Sequence, residues 1–405
     1  MRVSSETEPS GSSAPASAGV LFGLLRSGRA STRTDLRALT GLSRTAVTVR
    51  VQALLGAGVL LSGGDRASTG GRPAGSLVLN AGAGVVLAAA IGRSRSQVGV
   101  FDLVGTELVS DSVEHAAGSP PGDVMPDVVR RLRAMLRAID PEPWAIGISL
   151  PGAVDPVRGC SLDSPVLPGW DGVPLSDWLD GLAEVPLVIA NDAHVLAQSE
   201  MLAGALRPTD ALVLKASTGI SVGIVADGHV LHGSRGGAGD LGHVKHEAAV
   251  GMPCRCGSTG CLEAIAGGWA VVERLRAEGL EVGHVRELAA AALRGDPRAR
   301  AAARESGRVV GEVLAGVITV LDPGTVVVGG DLAPAFDQYV AGLREGVYGR
   351  TSAFAARDLM FHPATFGERA GLVGCAAVAL DHVLSPGHID LRLSSGRQSR
   401  ETIDA

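Results

Sequence analysis

Three cysteines and one histidine have the spacing of metal ligands. Cys254, Cys256 and Cys261 fall within eight residues, and His243 lies eleven residues before Cys254. Three thiolates and one imidazole complete a tetrahedral zinc shell, and the intervening glycines allow the tight turn that this shell needs. Because no position is left for a catalytic water, the pattern predicts a structural zinc site. His246 is an alternative to His243 as the fourth ligand.

Basic residues are concentrated near the N-terminus. The chain has 36 basic and 42 acidic residues, a net charge of −6, yet residues 20–73 carry eight arginines against two aspartates. This segment is therefore +6 and the remainder is −12. The overall charge excludes a uniformly basic nucleic-acid coat, whereas a basic segment joined to an acidic one is typical of a DNA reader attached to another module.

Helical periodicity and capping residues predict three helices in this basic segment, followed by a hairpin. Thr40-Gly41 ends the second helix, and Ser43 caps the third, whose core stripe leaves polar side chains on the other faces. The hairpin has a glycine-rich basic tip at residues 62–73, which indicates a wing. A solvated helical hairpin is the simpler alternative to a winged helix-turn-helix. The candidate DNA contacts are Arg44, Thr45, Thr48, Arg50 and Gln52 on the third helix, and Arg66 and Arg72 in the wing.

The composition excludes several classes of protein. Lys215 and Lys245 are the only lysines and neither follows a glycine-rich loop, so no Walker A phosphate loop is present. Aromatic residues make up only 3% of the chain, which argues against stacking on single-stranded nucleic acid. Five cysteines without a secretory signal do not suggest a disulfide scaffold, and we expect a cytoplasmic protein with no membrane span. Residues 1–18 are predicted to be a disordered leader and 385–405 a disordered tail.

Beyond Val85, apolar strands alternate with helical stretches. Seven predicted strands, interspersed with helices such as Pro126 to Ala138 and Arg308 to Leu321, indicate an α/β fold with two lobes. The strands are predicted at 85–91, 97–101, 145–149, 187–190, 211–215, 222–226 and 325–328.

One stretch carries a family resemblance. The string Gly239-Asp240-Leu241-Gly242-His243, followed by Cys-x-Cys-Gly-x-x-Gly-Cys-Leu-Glu up to Glu263, resembles the signature of the ROK family. This family joins sugar-responsive repressors and sugar kinases on a two-lobed actin-like ATPase (RNase H-like) fold. The N-terminal strings at 40–44 and 68–73 are similar to those of the xylose-type and N-acetylglucosamine-type repressors, which the kinases lack. The resemblance runs from about Val20 to Leu380.

The resemblance implies a domain division and a sugar site. Residues 19–80 form the winged helix-turn-helix, 81–190 a first lobe completed by about 368–384, and 191–367 a second lobe with the zinc site. Asn191 and Asp192 match the pair in which Asn binds a sugar hydroxyl and Asp is the catalytic base of a kinase; taken alone, they could equally cap a helix. Asp240, His243 and Glu263 would also face sugar hydroxyls, His243 through the ring nitrogen that does not bind zinc.

The sequence departs from the family pattern on the phosphate side. Residues 90–94 read Ala-Ile-Gly-Arg-Ser where the family has Asp-x-Gly-Gly-Thr, so an acid is lost and Arg93 replaces a glycine. Residues 216–220 read Ala-Ser-Thr-Gly-Ile in place of a Gly-Thr-Gly loop, and Asp331 adds a carboxylate after Gly329-Gly330. These loop changes disfavour binding of nucleotide phosphates. On the sugar side, Asp240 is one methylene shorter than the usual Glu, which favours a different sugar or weaker binding.

We therefore expect a transcriptional regulator, most simply a repressor, that senses a sugar or sugar derivative without phosphorylating it, with Asp192 as a vestigial base. Its partners would be operator DNA and the sugar, and two half-sites require a homodimer or homotetramer. One alternative is an active ATP-dependent sugar kinase that carries a DNA-binding domain. The other is a regulator of this type that has lost sugar binding and answers to another signal.

Overall fold

The computed structural model describes residues 16–65, 75–162, 167–202 and 204–401, and these fall into two compact units. The smaller unit, called the head below, contains the described residues up to 83 and those from 381 onward. The larger unit, called the body, contains residues 84–380. In the described ranges, no single helix has the length and hydropathy to cross a bilayer; one bent pair of helices, Gly367–Val383 with Pro386–Ser395, meets that test on length and composition alone.

The head begins with three helices, α1 (Ala18–Arg26), α2 (Arg33–Thr40) and α3 (Arg44–Gly56). Thr32 caps α2 and forms a capping box with Asp35. Gly41 ends this helix at φ 67°, in the left-handed region that glycine adopts without strain, and Ser43 caps α3. The predicted short turn between α2 and α3 is thus confirmed, and the core of the head is built on the buried side chains Leu21, Leu36, Val47, Val51 and Leu54.

A two-stranded antiparallel sheet follows the helices. Strands β1 (Leu60–Asp65) and β2 (Gly75–Leu79) pair with Leu60 opposite Leu79. The predicted hairpin is therefore present. Its tip, including the candidate DNA contacts Arg66 and Arg72, lies outside the described residues.

The first half of the body is built on a five-stranded mixed sheet. This half contains seven strands, five of them in the sheet: β3 (Val85–Ile91), β4 (Arg95–Asp102), β5 (Glu107–Glu114), β6 (Pro143–Leu150), β7 (Ala153–Asp155), β8 (Cys160–Leu162) and β9 (Leu187–Asn191). The order in the sheet is β5-β4-β3-β6-β9, with β3, β6 and β9 parallel to one another, while β7 and β8 form a separate hairpin. The parallel strands are buried apolar runs, as expected for a sheet covered on both faces.

The second half repeats this order of strands. Its strands are β10 (Ala211–Ala216), β11 (Ile220–Ala226), β12 (His229–Leu231), β13 (Thr325–Gly329) and β14 (Met360–Pro363). They are arranged β12-β11-β10-β13-β14, so each sheet has an antiparallel meander on one side of its first strand and two parallel strands on the other. The structure thus confirms the predicted α/β fold with two lobes, and the two halves are similar.

Helices cover both sheets of the body. They are α4 (Pro121–Leu136), α5 (Ser176–Leu179), α6 (Asp192–Ser199), α7 (Glu263–Ala266), α8 (Gly268–Ala277), α9 (Val285–Leu293), α10 (Pro297–Leu321), α11 (Phe336–Tyr348), α12 (Ala353–Ala356) and α13 (Ala370–Val383). Helix α13 packs on the first sheet, so closely that a Cβ at Gly147 would lie 2.0 Å from the carbonyl oxygen of Cys375. The late segment 368–384 thus contributes to the first half, in the place that the sequence suggested.

The C-terminal segment corrects one expectation. Residues 385–405 were predicted to be disordered, but Pro386–Glu401 forms a helix, α14, which packs against α1 within the head. Ile389 is buried, and the backbone N–H of Gly19 donates to the Asp390 carboxylate at 2.8 Å. Packing on α1 stabilises a helix that has no apolar stripe of its own.

Candidate functional site

The body contains a cavity of about 1020 Å³ lined by residues from both halves. A volume of this size admits a small ligand such as a monosaccharide with room to spare. All five residues predicted to bind sugar line it: Asn191, Asp192, Asp240, His243 and Glu263. The structure therefore brings together side chains from the end of β9, the loop before the cysteine cluster and the start of α7.

Asn191 is the N-cap of α6. Its Oδ1 accepts the backbone N–H groups of Ala193 at 2.8 Å and His194 at 3.3 Å, and its Nδ2 donates to the carbonyl of Gly152 at 2.7 Å. The helix-cap interpretation of this residue is therefore correct. Because the amide has two N–H groups, one donor remains for a ligand, and the bond to Gly152 fixes the loop that follows β6 beside the cavity.

Asp192 forms an ion pair with Lys215, which the sequence did not reveal. The Lys215 Nζ lies 2.9 Å from the Asp192 Oδ2, and both side chains are largely buried in the cavity wall. Burial lowers the pKa of Lys215, but the charge and hydrogen bond of Asp192, with Asp331 and Glu263 more distant, outweigh it and raise that pKa overall. Lys215 is therefore charged and holds the carboxylate at the end of β9.

Glu263 is buried and fixed by two donors, whereas Asp240 is open. The Glu263 Oε2 accepts the backbone N–H of Ile220 at 3.0 Å, and its Oε1 accepts the indole N–H of Trp269 at 3.1 Å. The Asp240 side chain is 62% exposed, with its Oδ1 3.8 Å from the His243 Nε2. One carboxylate is thus positioned rigidly and the other remains available to a ligand.

The three cysteines and His243 meet as the sequence predicted. Their ligand atoms all lie within 4.8 Å of one another. The Cys256 and Cys261 sulfurs are 3.7 Å apart, and the His243 Nδ1 is 3.7 Å from the Cys254 sulfur. Bonds of about 2.3 Å to a tetrahedral zinc ion require sulfurs about 3.8 Å apart, so the four residues can hold such an ion.

Burial and neighbouring side chains define the surroundings of the cluster. Burial raises the pKa of the Cys254 thiol to about 12, and a metal ion bound there would oppose this shift by favouring the thiolate. The Lys245 ammonium donates to the Cys261 sulfur at 3.1 Å. His246, the alternative ligand, is engaged elsewhere: its Nε2 lies 3.3 Å from the Glu312 carboxylate, and its Nδ1 accepts the N–H of Ala248.

Side chains on one side of the cavity contact one another, and Ser217 and Asp331, which depart from the family pattern, are among them. The Ser217 hydroxyl donates to the Asp331 carboxylate, and the guanidinium groups of Arg95 and Arg286 each lie 3.8 Å from that carboxylate. Across the same side of the cavity, the Ser94 hydroxyl lies 3.1 Å from the His284 Nε2. The part of the cleft where the resemblance places nucleotide phosphates is therefore bridged by side chains of the protein.

The head presents a polar helix face. Arg44, Thr45, Thr48 and Gln52 are all exposed on α3, opposite its buried stripe. Arg50, also predicted to contact DNA, differs: its Nε donates to the carbonyl of Ala16 at 2.7 Å and its Nη1 to that of Ala46 at 3.1 Å. These two bonds hold part of its guanidinium against the head, and Arg50 stays a predicted DNA contact.

Comparison with known proteins places these features in one family. The ROK family model matches residues 86–382. The xylose repressor of Bacillus subtilis strain 168 is 24% identical over 87% of this chain and 91% of its own. A glucokinase of Thermotoga maritima is 33% identical over 64% of this chain and 86% of its own. The crystal structure of a ROK family transcriptional regulator, a homolog of the E. coli MLC protein, covers 93% of this chain and 98% of its own, with a TM-score of 0.76 at 24% identity.

The family match spans every residue that lines the cavity and all four residues of the cysteine cluster. The fold similarity covers nearly the whole chain. On these grounds, the protein belongs to the ROK family.

Proposed function

We propose that this protein is a DNA-binding transcriptional regulator, acting as a repressor, which binds a sugar or sugar derivative in the body without phosphorylating it. Similarity to a xylose repressor along most of both chains supports a regulator. Because glucokinases match as well, membership of the family does not separate a regulator from a kinase. The geometry of the cleft supports a regulator.

The Asp192–Lys215 ion pair carries the proposal. A sugar kinase needs a carboxylate that accepts the proton of the attacking hydroxyl, a contribution of about 10²–10⁴ in rate. Here the Lys215 ammonium already occupies that carboxylate, with its Nζ 2.9 Å from the Asp192 Oδ2. A sugar hydroxyl can still donate a hydrogen bond to the other oxygen, whereas a kinase needs a carboxylate that is free to act as the base. The ion pair therefore supports sugar binding without phosphoryl transfer.

The nucleotide side supports the same conclusion. Ser217 and Asp331 stand where the resemblance has glycines, and they are hydrogen-bonded to each other. Phosphate oxygens need backbone N–H groups at close range and no carboxylate beside them. In this chain, a side chain replaces a glycine at Ser217, and the Asp331 carboxylate lies beside it.

The cysteine cluster is proposed to hold a structural zinc ion. Zinc fits the ligand set, and the four protein atoms fill a tetrahedral shell. With the His243 Nδ1 directed at the sulfurs, its Nε2 is left near Asp240 and the cavity. As a zinc ligand, His243 would therefore also present its Nε2 to the sugar as a hydrogen-bonding group.

The head is proposed to be a winged helix-turn-helix that reads DNA through α3. Its exposed side chains Arg44, Thr45, Thr48 and Gln52 are suited to base edges, with Arg66 and Arg72 of the hairpin tip reaching the backbone or minor groove. Two half-sites require a homodimer or homotetramer. A sugar regulates such a protein only if it binds one conformation of the body more tightly than another.

Calorimetric titration with a panel of aldoses, beside a coupled ATPase assay on the same sugars, tests this function. We expect binding of at least one sugar without ATP turnover, and at least tenfold weaker binding in Asp192→Asn. Asp358→Asn is the matched control, since Asp358 is an exposed aspartate outside the cavity. Turnover at ordinary kinase rates, about 1–100 s⁻¹, would instead identify an enzyme. Absence of both signals would identify a regulator that no longer binds sugars.

A further inference from the structure

Val49 is an apolar side chain in the middle of the exposed face of α3. It is 61% exposed, whereas the neighbouring valines Val47 and Val51 are buried. Positions 45, 48, 49 and 52 are three or four residues apart, so they share one face of the helix. All four are exposed. The valine therefore lies among the side chains that are proposed to contact bases.

Neither the core of the head nor the stability of α3 accounts for a valine at this position. The core side of the helix is formed by Val47, Val51 and Leu54, which are buried. At an exposed helix position, a β-branched side chain is less favourable than alanine or arginine, because the helix restricts its rotamers. A single apolar side chain is ordinary on a protein surface, so the significance of Val49 comes from the face on which it lies.

Thr48, beside Val49, has its hydroxyl proton engaged within the helix. The Thr48 Oγ1 donates to the carbonyl of Arg44 at 2.8 Å, while the side chain as a whole is exposed. This hydroxyl therefore has no proton left for a base, and the side chain still offers its Cγ2 methyl group. Thr48 and Val49 together supply branched methyl groups to one part of the helix face.

The surroundings of Val49 suit DNA better than a second copy of the head. Arg44 and Gln52 are exposed on the same helix, and residues 20–73 carry a net charge of +6. Such a segment attracts DNA phosphates and repels another copy of itself. Guanidinium and amide groups pair with guanine and adenine in the major groove, where thymine presents a methyl group. The charge and the mixture of polar and apolar groups therefore favour a base edge as the partner of Val49.

We propose that Val49, with the methyl group of Thr48, reads a thymine in each operator half-site by packing on its 5-methyl group. This inference rests on the proposed DNA-binding function and adds the base that this part of α3 selects. Thymine is the one DNA base with a methyl group, and that group lies on its major-groove edge. Burial of one methyl group raises affinity about fourfold at each half-site.

Replacement of thymine by deoxyuridine tests the contact, because it removes only the 5-methyl group. The full-length protein selects duplexes from randomised DNA, and synthetic copies of a selected duplex then carry deoxyuridine at one thymine at a time. We expect one thymine in each half-site at which the replacement weakens binding about fourfold in gel-shift titrations at fixed salt. In the double variant Val49→Ala, Thr48→Ser, the same replacement should change binding by less than about twofold.

The variants are chosen to remove methyl groups alone. Thr48→Ser keeps the hydroxyl that donates to the Arg44 carbonyl, and Val49→Ala raises helix propensity. Val20→Ala is the matched control, because Val20 is a valine of α1 that is 38% exposed, and it should keep the dependence on the thymine methyl group. Far-ultraviolet circular dichroism and thermal unfolding verify that each variant folds.

The possible outcomes separate this inference from the function on which it rests. Equal binding of every deoxyuridine duplex and its thymine parent would overturn the thymine contact and leave DNA recognition intact. A methyl dependence that persists in the double variant would also overturn it. So would a double variant that changes only its self-association, measured by analytical ultracentrifugation, because Val49 would then contact another copy of the chain. Selection that enriches no duplex would overturn both proposals.

Discussion

Cys256 tests the metal site at the scale of a single residue. Its sulfur lies 3.7 Å from that of Cys261, the separation expected of two sulfur ligands of one tetrahedral zinc ion. Cys256→Ala should therefore reduce zinc from about one ion per chain to a small fraction, and should lower the melting temperature by several degrees. Atomic absorption on purified protein measures the metal.

Cys160→Ala is the control for loss of a buried thiol, because Cys160 is buried in the first half of the body outside the cluster. It should retain zinc even if it loses some stability. A Cys256→Ala protein with a full complement of zinc would contradict the ligand assignment.

The sequence alone identifies the cysteine cluster, because its members are closely spaced, and Asp192, because it lies in a recognisable Asn-Asp motif. The partner of Asp192 is not readable in this way, because Lys215 lies on β10 of the other sheet and only the fold brings the two together. A signal for it was present: a lysine within the apolar strand Ala211–Ala216 needs a charged partner. The hydrogen bond from Arg50 to the distant carbonyl of Ala16 likewise has no signature in the sequence.

At the scale of elements, Gly19 tests the packing of α14 on α1. A Cβ at Gly19 would lie 2.0 Å from the carbonyl oxygen of Pro386, whereas one at Gly23 would meet only the Pro386 Cγ, at an ordinary 3.8 Å. Both glycines lie in α1, so alanine improves helix propensity at either site, by up to about 1 kcal/mol. Gly19→Ala should nevertheless destabilise the head, because overpacking costs about 1–3 kcal/mol.

Hydrogen–deuterium exchange of the α1 and α14 peptides in the full chain measures this difference. Exchange should become faster in Gly19→Ala and stay equal or become slower in Gly23→Ala. Equal protection in the two variants would show that α14 does not pack here.

The capping box of α2 gives the head a dependence on pH. Hydrogen bonds hold the pKa of the Asp35 carboxyl below its usual 3.8. The backbone N–H of Ser31 contributes most, and the side chain and backbone of Thr32 add to it, while burial acts in the opposite direction. The charged carboxylate therefore stabilises α2 above pH 3.8, and this stabilisation is lost as pH falls through the lower pKa of the folded state.

Asp35→Asn should accordingly weaken α2 by about 1 kcal/mol near pH 6, equal to about fivefold faster exchange of its amides, and should have a smaller effect near pH 3, below the usual pKa of the carboxyl. Comparison of the variant with the parent at each pH cancels the intrinsic pH dependence of exchange. A difference that is the same at both pH values would show that the charge of Asp35 has no part in the cap.

Helices and strands with clear caps or apolar patterns were predictable from the sequence. Elements that form only through contact with a neighbouring element were not. The caps of α2 and α3 and the buried strand β3 follow from local residue types. Strand β5 is mostly exposed and polar, so it has no apolar run to mark it and owes its form to pairing with β4. Helix α14 likewise lacks an amphipathic pattern and depends on α1.

At the scale of the whole molecule, the alternation of strands and helices predicts two similar halves, and the shared strand order of the two sheets confirms this. What the alternation cannot predict is how the cavity is filled. Ser217 and Asp331, which depart from the family pattern, meet each other and the guanidinium groups of Arg95 and Arg286 from distant parts of the chain, and these contacts form one bridged surface.

The central claim is that one chain couples recognition of DNA to a sugar site that does not transfer phosphate. Capture of sheared genomic DNA from the source organism by the purified full-length protein, followed by sequencing, tests it most directly. We predict enrichment of a few discrete sites with two related half-sites, loss of that enrichment in a variant with Arg44, Thr48 and Gln52 replaced by alanine, and release of the captured fragments by the sugar that binds in calorimetry. Captured DNA without discrete sites, or discrete sites retained unchanged in the variant, would contradict the account.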